Sequence, residues 1–176
     1  MATAKPPSAT PAATPAAGRS ADAKPEAAKP EAAKPAATRP AAAKPVPVPV
    51  PVTRAFWEGT ACGELRLQSC GACGAQVFYA RPRCPGCGAD ALSWVRTSGR
   101  GRLHSYVISH MEMPGWAGET PYVIAIVELK EGPRMMSSLV GVPADPAHLQ
   151  LDMPLEVVFE KRGDMTLPMF KPAEAA

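Results

Sequence analysis

Four of the five cysteines stand in two pairs whose spacing is typical of a metal-binding site. Cys70 and Cys73 form the first pair and Cys84 and Cys87 the second, with ten residues between the pairs. Two residues between the members of a pair allow a tight turn to direct both sulfur atoms at one ion, and a glycine follows each pair. Four thiolates on two facing turns form a closed tetrahedron, which is the usual structural zinc site. The sequence therefore predicts one zinc ion held by these four cysteines in a small ribbon.

Similar cysteine patterns also serve other chemistry. Two such turns, with a proline inside the second, resemble the rubredoxin iron site, and sulfur ligands accept either metal. Two disulfides would require a secreted protein, but the first residues lack the apolar segment of a secretory signal, so we expect a reducing cytoplasm. A closed site leaves no position open for substrate, which predicts a structural role. Cys62 lies outside both pairs and is expected to be a small, half-buried residue.

The three histidines, His104, His110 and His148, belong to no recognisable catalytic motif. His104 and His110 fall on the same face of one predicted strand, where they would form either half of an acid–base site or a barrel face with hydrogen-bonded histidines. No nucleophile elbow, phosphate-binding loop or paired-histidine metal helix occurs in the sequence. The sequence therefore indicates a protein that is not itself an enzyme.

Composition divides the 176-residue chain into two parts. Residues 1–52 contain twelve of the 22 prolines and no aromatic residue, and a Lys-Pro or Arg-Pro pair recurs every five residues from Lys24 to Pro45. Such a segment cannot bury enough apolar surface to fold, so we predict a disordered, extended tail. The tail carries seven basic and three acidic residues, a charge of +4, and the remainder carries twelve basic and thirteen acidic residues, a charge of −1.

The rest of the chain predicts a mostly β protein. A short helical turn ending at Gly59 is followed by a lead-in strand around Leu65 and Leu67, and later apolar runs alternate with turn residues. Strand 122–129 is apolar on both faces, which indicates a strand covered on both sides. Five or six short strands fit a small closed barrel such as an OB-fold. The remaining predicted strands are 92–96, 102–110, 134–140, 155–160 and 166–170.

These features predict an order of segments along the chain. The disordered tail is followed by a helical lead-in, the zinc ribbon, the OB-fold barrel and a flexible end. No apolar run approaches the about 18 residues of a membrane span. The predicted boundaries are 1–52, 53–68, 69–90, 91–172 and 173–176.

Several short motifs occur in the order found in a known bacterial and archaeal family, which joins a rubredoxin-like zinc ribbon to an OB-fold and was long labelled a domain of unknown function. The resemblance covers about residues 54–172. The motifs are Phe56-Trp57-Glu58-Gly59, Gly63-Glu64-Leu65, the two cysteine pairs, Trp94-Val95, Ser98-Gly99-Arg100-Gly101, Ser105-Tyr106, Pro121-Tyr122-Val123, Leu139-Val140-Gly141 and Met153-Pro154-Leu155-Glu156-Val157.

This resemblance implies an accessory subunit of a thiolase-fold acyl-CoA enzyme, such as a lipid-transfer-type thiolase, whose acyl-CoA site the OB-fold helps to shape. It makes Phe56 and Trp57 candidates for partner contact, and Arg100 or Arg102 candidates for contact with a CoA phosphate. His110 is a further candidate contact. The long Lys-Pro tail departs from the family pattern.

Two other functions compete with this expectation. Zinc ribbons and OB-folds also occur in nucleic-acid-binding proteins, and the tail is basic. The predicted domain, however, has a charge of −1 and lacks a basic stripe interleaved with aromatic residues, which argues against nucleic acid as the partner. Electron transfer through an iron site is the third function and requires iron in place of zinc.

Overall fold

The structure, a computed structural model, describes residues 43–173. The predicted tail lies outside the described residues up to position 42, as do residues 174–176. Residues 43–50 have no regular secondary structure, and they belong to the segment 1–52 that the sequence predicted to be disordered. A long-range contact holds this segment, because the Lys44 ammonium pairs with Glu119 and lies 5.8 Å from the centre of the Trp116 ring.

A short 3-10 turn (Pro51–Thr53) leads into an α-helix, α1 (Arg54–Ala61). The helix extends beyond Gly59, where the sequence predicted its end. At Gly59 the side chain of Arg66 crosses so closely that a Cβ atom there would lie 2.7 Å from the Arg66 Cδ. The glycine therefore serves helix packing, and the chain turns instead at Gly63, whose φ is +74°.

A three-stranded antiparallel sheet follows α1 and carries the cysteine turns. It contains β1 (Arg66–Cys70), β2 (Gln76–Val77) and β3 (Leu92–Arg96) in the order β2-β1-β3. The pairing of β1 with β3 runs from Arg66 opposite Arg96 to Cys70 opposite Leu92. One end of β1 therefore places Cys70 beside the start of β3.

Five strands form a closed barrel in the order β4-β5-β6-β8-β7. Strand β6 runs parallel to β8, with Leu139 opposite Phe170, and the other neighbouring pairs are antiparallel. This confirms the prediction of a mostly β protein with an OB-like barrel. The five strands are β4 (Arg100–Ser109), β5 (Tyr122–Leu129), β6 (Arg134–Leu139), β7 (Pro154–Arg162) and β8 (Met165–Pro172).

One hydrophobic core joins the helix and ribbon to the barrel. Every second residue of β5, from Val123 to Leu129, is buried, while the alternate residues are half-buried, as the apolar pattern on both faces predicted. Phe170 is fully buried, and Leu67 of the ribbon and Phe56 of α1 belong to the same buried cluster. The barrel therefore fixes the position of the ribbon through shared apolar contacts.

The predicted common face for two histidines is wrong. Strand β4 has a bulge between Leu103 and Ser105, so that His104 is the extra residue and points outward. His110 follows the end of β4 and is exposed. The bulge changes the alternation, because buried Leu103 before it and half-buried Tyr106 after it both face the core.

Candidate metal centre

The first cysteine turn is fixed by two backbone hydrogen bonds at the end of β1. The Cys70 N–H donates to the Ala75 carbonyl at 2.9 Å, and the Gly74 N–H donates to the Cys70 carbonyl at 2.8 Å. Gly74 has a φ of +73°, a conformation that glycine adopts without the steric cost of a Cβ atom. The glycine after the pair is therefore required by the turn.

The second cysteine turn repeats this geometry. The Cys84 N–H donates to the Ala89 carbonyl at 2.8 Å, and the Gly88 N–H donates to the Cys84 carbonyl at 2.9 Å. The φ of Gly88 is +74°. Two equivalent turns thus face each other, which is the arrangement that the two cysteine pairs predicted.

The four sulfur atoms converge to within 4.8 Å of one another. The Sγ atoms of Cys70 and Cys87 lie 3.6 Å apart, and the same distance separates those of Cys73 and Cys84. A tetrahedron with metal–sulfur bonds of about 2.3 Å has edges of about 3.8 Å, so these two edges agree with a single bound ion. The donor set suits zinc and iron alike.

The electrostatics of the four-sulfur cluster favour a bound cation. Backbone N–H groups of Cys87 and Gly86 lower the pKa of the Cys84 thiol to about 7. At Cys73 the backbone of Ala75 also lowers the pKa, but hydrogen bonds with the other three cysteines oppose it, and the net pKa rises to about 12. Four thiolates at this separation repel one another, so a divalent cation is needed for all four to ionise together.

The ribbon beyond β1 has little apolar support of its own. Cys70 and Cys84 are buried, whereas Cys73 and Cys87 are exposed. From residue 71 to residue 91, the buried side chains are Val77 and Cys84 alone. Strand β1 adds polar contacts to this segment: β2 pairs with it, and the Gln68 side chain accepts from the Arg81 N–H and donates to the Arg81 carbonyl. A metal ion at the four sulfurs would therefore be the main link holding this loop to the sheet.

Cys62 is exposed, not half-buried as predicted, and takes no part in the cluster. It follows the last residue of α1, where its N–H caps the helix by bonding the Gly59 carbonyl at 2.9 Å. The helix end points this residue toward solvent before Gly63 reverses the chain. Of the histidines, His104 Nδ1 lies 3.9 Å from a carboxylate oxygen of Glu128, and His148 ends a short 3-10 turn on the surface.

The candidate partner contacts differ in exposure, and Phe56 does not reach the surface. Phe56 is buried, and its ring meets that of Trp57 edge-on at 4.9 Å, while Trp57 is half-buried. Arg100 is exposed at the start of β4, and its side chain has no acceptor among residues 43–173. Arg102 is already engaged, because its guanidinium lies 2.6 Å from Glu128 and 3.2 Å from Asp152.

Sequence reasoning missed an apolar groove of about 530 Å³ between the helix and ribbon on one side and the barrel on the other. All three tryptophans of the chain line it. The sequence signal was present in the large apolar residues at turns and ends, but their convergence depends on how the ribbon docks. The groove walls include Trp57, Phe78, Trp94, Trp116, Ile124 and Met136.

Two family models of known proteins match consecutive parts of this chain. Residues 57–93 match the model of the ChsH2 rubredoxin-like zinc ribbon domain, and residues 94–160 match that of the ChsH2 C-terminal OB-fold domain. A DUF35 domain-containing scaffold protein of Methanothermobacter thermautotrophicus is 38% identical over 99 residues, which cover 56% of this chain and 73% of that protein. The chain thus combines a zinc ribbon with an OB-fold barrel. It belongs to the ChsH2-type (DUF35) family, as the resemblance predicted.

Two further matches concern proteins of enzyme complexes. A probable enoyl-CoA hydratase alpha subunit of Thermomonospora curvata is 38% identical over 120 residues, or 68% of this chain. This chain spans 37% of the length of that subunit. A chain in the solved structure of the Ltp2-ChsH2(DUF35) aldolase has a TM-score of 0.64 and 33% identity, covering 72% of this chain and 98% of that one. Within residues 43–173, no helix is long and apolar enough to cross a membrane.

Proposed function

We propose that this protein is a non-catalytic accessory subunit that binds a thiolase-fold acyl-CoA enzyme of the cytoplasm and helps to form its acyl-CoA site. The observation that carries the proposal is the likeness to the Ltp2-ChsH2(DUF35) aldolase, because it extends over 98% of the matching chain. A shared ribbon and barrel of the same length support a shared mode of docking. The relatives named scaffold proteins support a role in assembly instead of catalysis.

The metal in this proposal is one structural zinc ion bound by Cys70, Cys73, Cys84 and Cys87. The support is the four-sulfur geometry described above and the zinc ribbon description of the matching family model. All four coordination positions would be occupied by protein sulfur, so the ion would brace the ribbon and leave no site for substrate. Iron would make the purified protein coloured, and zinc would leave it colourless.

For the CoA contact we favour Arg100 over Arg102. A guanidinium binds a phosphate well when its N–H donors are available, and those of Arg100 meet no acceptor within the described part of the chain. Arg102 would first have to leave Glu128 and Asp152. The half-buried Trp57 and the exposed His110 remain our candidates for contact with the partner protein.

Affinity purification from the native cell tests the proposal directly. With the full-length protein as bait, we expect a thiolase-fold enzyme to co-purify in a constant ratio and to resist washing at about 0.15 M salt. Recovery of no thiolase-fold protein would contradict the proposal. Tight nucleic-acid binding that falls steeply with salt would favour the competing function.

The CoA contact has its own test in the purified complex. Arg100→Gln should weaken acyl-CoA binding about fivefold, the equivalent of about 1 kcal/mol for an exposed charge-assisted contact. Arg102→Gln is the comparison and should change the affinity less, because its donors are already used. Equal affinity of the wild type and the Arg100 variant would remove Arg100 from the site.

A further inference from the structure

The second half of strand β4 has one edge that is not paired with another strand. Strand β4 pairs with β5 over nearly its whole length, but with β7 only over its first three residues. Leu103 still bonds on that side, because its N–H donates to the Met153 carbonyl at 3.0 Å and its carbonyl accepts from the Asp152 N–H at 2.8 Å. The bulge after Leu103 then bends β4. From Ser105 to Ser109, no strand among residues 43–173 lies beside this edge.

The hydrogen-bonding pattern of the sheet shows which backbone groups are left unpaired at this edge. Leu129 donates its N–H to the Pro133 carbonyl at 3.0 Å, so every second residue of β5 counted from Leu129 bonds to β6, and the others bond to β4. The residues of β4 that lie opposite those others, and thus bond to β5, are Ser105, Val107 and Ser109. Tyr106 and Ile108 direct their N–H and carbonyl groups to the open side, where no residue of the described part of the chain bonds to them.

This edge carries none of the residues that usually prevent two strand edges from pairing. Prolines and charged side chains have that effect, and β8 provides an example. Its Pro168 faces β6, where its carbonyl accepts from the Ser137 hydroxyl at 2.8 Å, and a proline has no N–H to donate. The segment Ser105–Ser109 contains neither proline nor a charged residue, and Val107 is 62% exposed. A free edge without such protection indicates a strand that another chain can extend.

The sequence of the segment indicates which chain fits this edge. Residues 104–110 read His-Ser-Tyr-Val-Ile-Ser-His, which is the same in both directions except that Tyr106 and Ile108 change places. A second copy that runs antiparallel about a two-fold axis at Val107 sets Tyr106 opposite Ile108, and each such pair exchanges two hydrogen bonds between the unpaired groups. Val107 then meets Val107 of the other copy in the type of pair whose side chains lie closest, with Cα atoms about 4.5 Å apart. A two-fold dimer requires this kind of self-complementarity.

We infer that two copies of this chain pair through the Ser105–Ser109 edges of β4, antiparallel about Val107, and form a homodimer whose sheet continues from one barrel into the other. The strand order across the dimer is β6-β5-β4-β4-β5-β6. A strand of a different protein would bond to the same backbone groups, but the symmetry of residues 104–110 favours a second copy. The pairing does not rest on the proposed acyl-CoA enzyme, so a failed search for that enzyme and a monomeric chain are separate results.

Sedimentation velocity of the full-length, zinc-loaded protein tests the dimer, with a reductant present because the exposed Cys62 can oxidise. Between about 1 and 100 µM we expect the mass to rise from that of the 18.4 kDa chain toward twice that value. Val107→Lys brings two like charges together on the two-fold axis and should raise the dissociation constant about tenfold or more. Val107→Thr keeps the β-branched shape and is the matched control, with an expected change of less than about threefold. A chain that stays monomeric, or a dimer that Val107→Lys leaves unchanged, would overturn the inference.

A disulfide at the symmetry axis tests the register of the pairing. In a chain that carries Cys62→Ser, an added Val107→Cys should link two copies under mild oxidation, since Cα atoms about 4.5 Å apart allow a disulfide. Met136→Cys in the same background is the control, because Met136 is similarly exposed, at 58%, but lies on β6. Equal yields of cross-linked dimer at the two positions, or a higher yield at Met136, would contradict pairing about Val107.

Discussion

Replacement of one buried cysteine tests how much the ribbon depends on its metal. In Cys84→Ser the cluster loses one of its two buried sulfurs, while the size of the side chain hardly changes. A hydroxyl is a poor ligand beside three thiolates, so we expect zinc binding to weaken severely. The effect should be local at first, because most of the buried hydrophobic cluster lies in the barrel strands.

The expected loss of stability follows from the other contacts that hold residues 71–91 in place. Between residues 71 and 91, Val77 is the one buried side chain besides Cys84 and Phe78 packs partly buried on the core, so the two contribute about 2–5 kcal/mol. Structural zinc contributes about 10–16 kcal/mol of apparent binding free energy in small zinc-dependent folds. The metal therefore outweighs the apolar contribution several-fold. We expect at least about 3 kcal/mol of lost stability, which lowers Tm by roughly 10 °C or more.

Differential scanning calorimetry and amide hydrogen exchange measure the two parts of this prediction. Exchange should accelerate first in residues 69–90 and remain slow in β5 of the barrel. Cys62→Ser is the matched control, because Cys62 is exposed and outside the cluster, and its Tm should stay within about 2 °C of the wild type. If Cys84→Ser melts like the control and keeps its exchange protection, the metal does not hold the ribbon.

Two further predictions concern the barrel. Gly99→Ala should lower the free energy of unfolding by about 2 kcal/mol or more in a denaturant titration, since Gly99 has a φ of +70° and a Cβ would lie 2.6 Å from Val157 Cγ1. Gly118→Ala, with a φ of +78° and open space around it, should lower it less. Equal losses in the two variants would exclude close packing as the cause. The hydrogen bond from Arg102 keeps the pKa of the Glu128 carboxyl below its ordinary value. Glu128→Gln should therefore be less stable than the wild type at pH 7, with a difference that vanishes as the pH falls through the lowered pKa; a difference independent of pH from 7 to 2 would contradict the ion pairing.

Most of the fold follows from local sequence patterns. The apolar run of β5 predicted its bounds and its cover on both faces, and the glycines after each cysteine pair predicted the two turns of the ribbon. The strands of the barrel were predicted to within a few residues because turn residues separate them clearly. These features depend on residue patterns that extend over only a few neighbouring positions, and such patterns are visible in a single sequence.

Features that depend on distant contacts were not predictable in this way. The bulge at His104 arises from pairing with β5, and no neighbouring residue in the sequence indicates it. The contacts of Lys44 are with Glu119 and Trp116, which lie about seventy residues further along the chain. The groove likewise requires the ribbon and the barrel to be docked before its walls meet. All three features depend on long-range packing, which the periodicity of the sequence does not encode.

Native mass spectrometry of the reduced, full-length protein tests the central claim most directly. The account predicts a single species whose neutral mass exceeds that of the chain by one zinc ion less two protons, because a divalent ion replaces two protons at equal net charge. A mass equal to that of the bare chain, or one that contains iron, would contradict it.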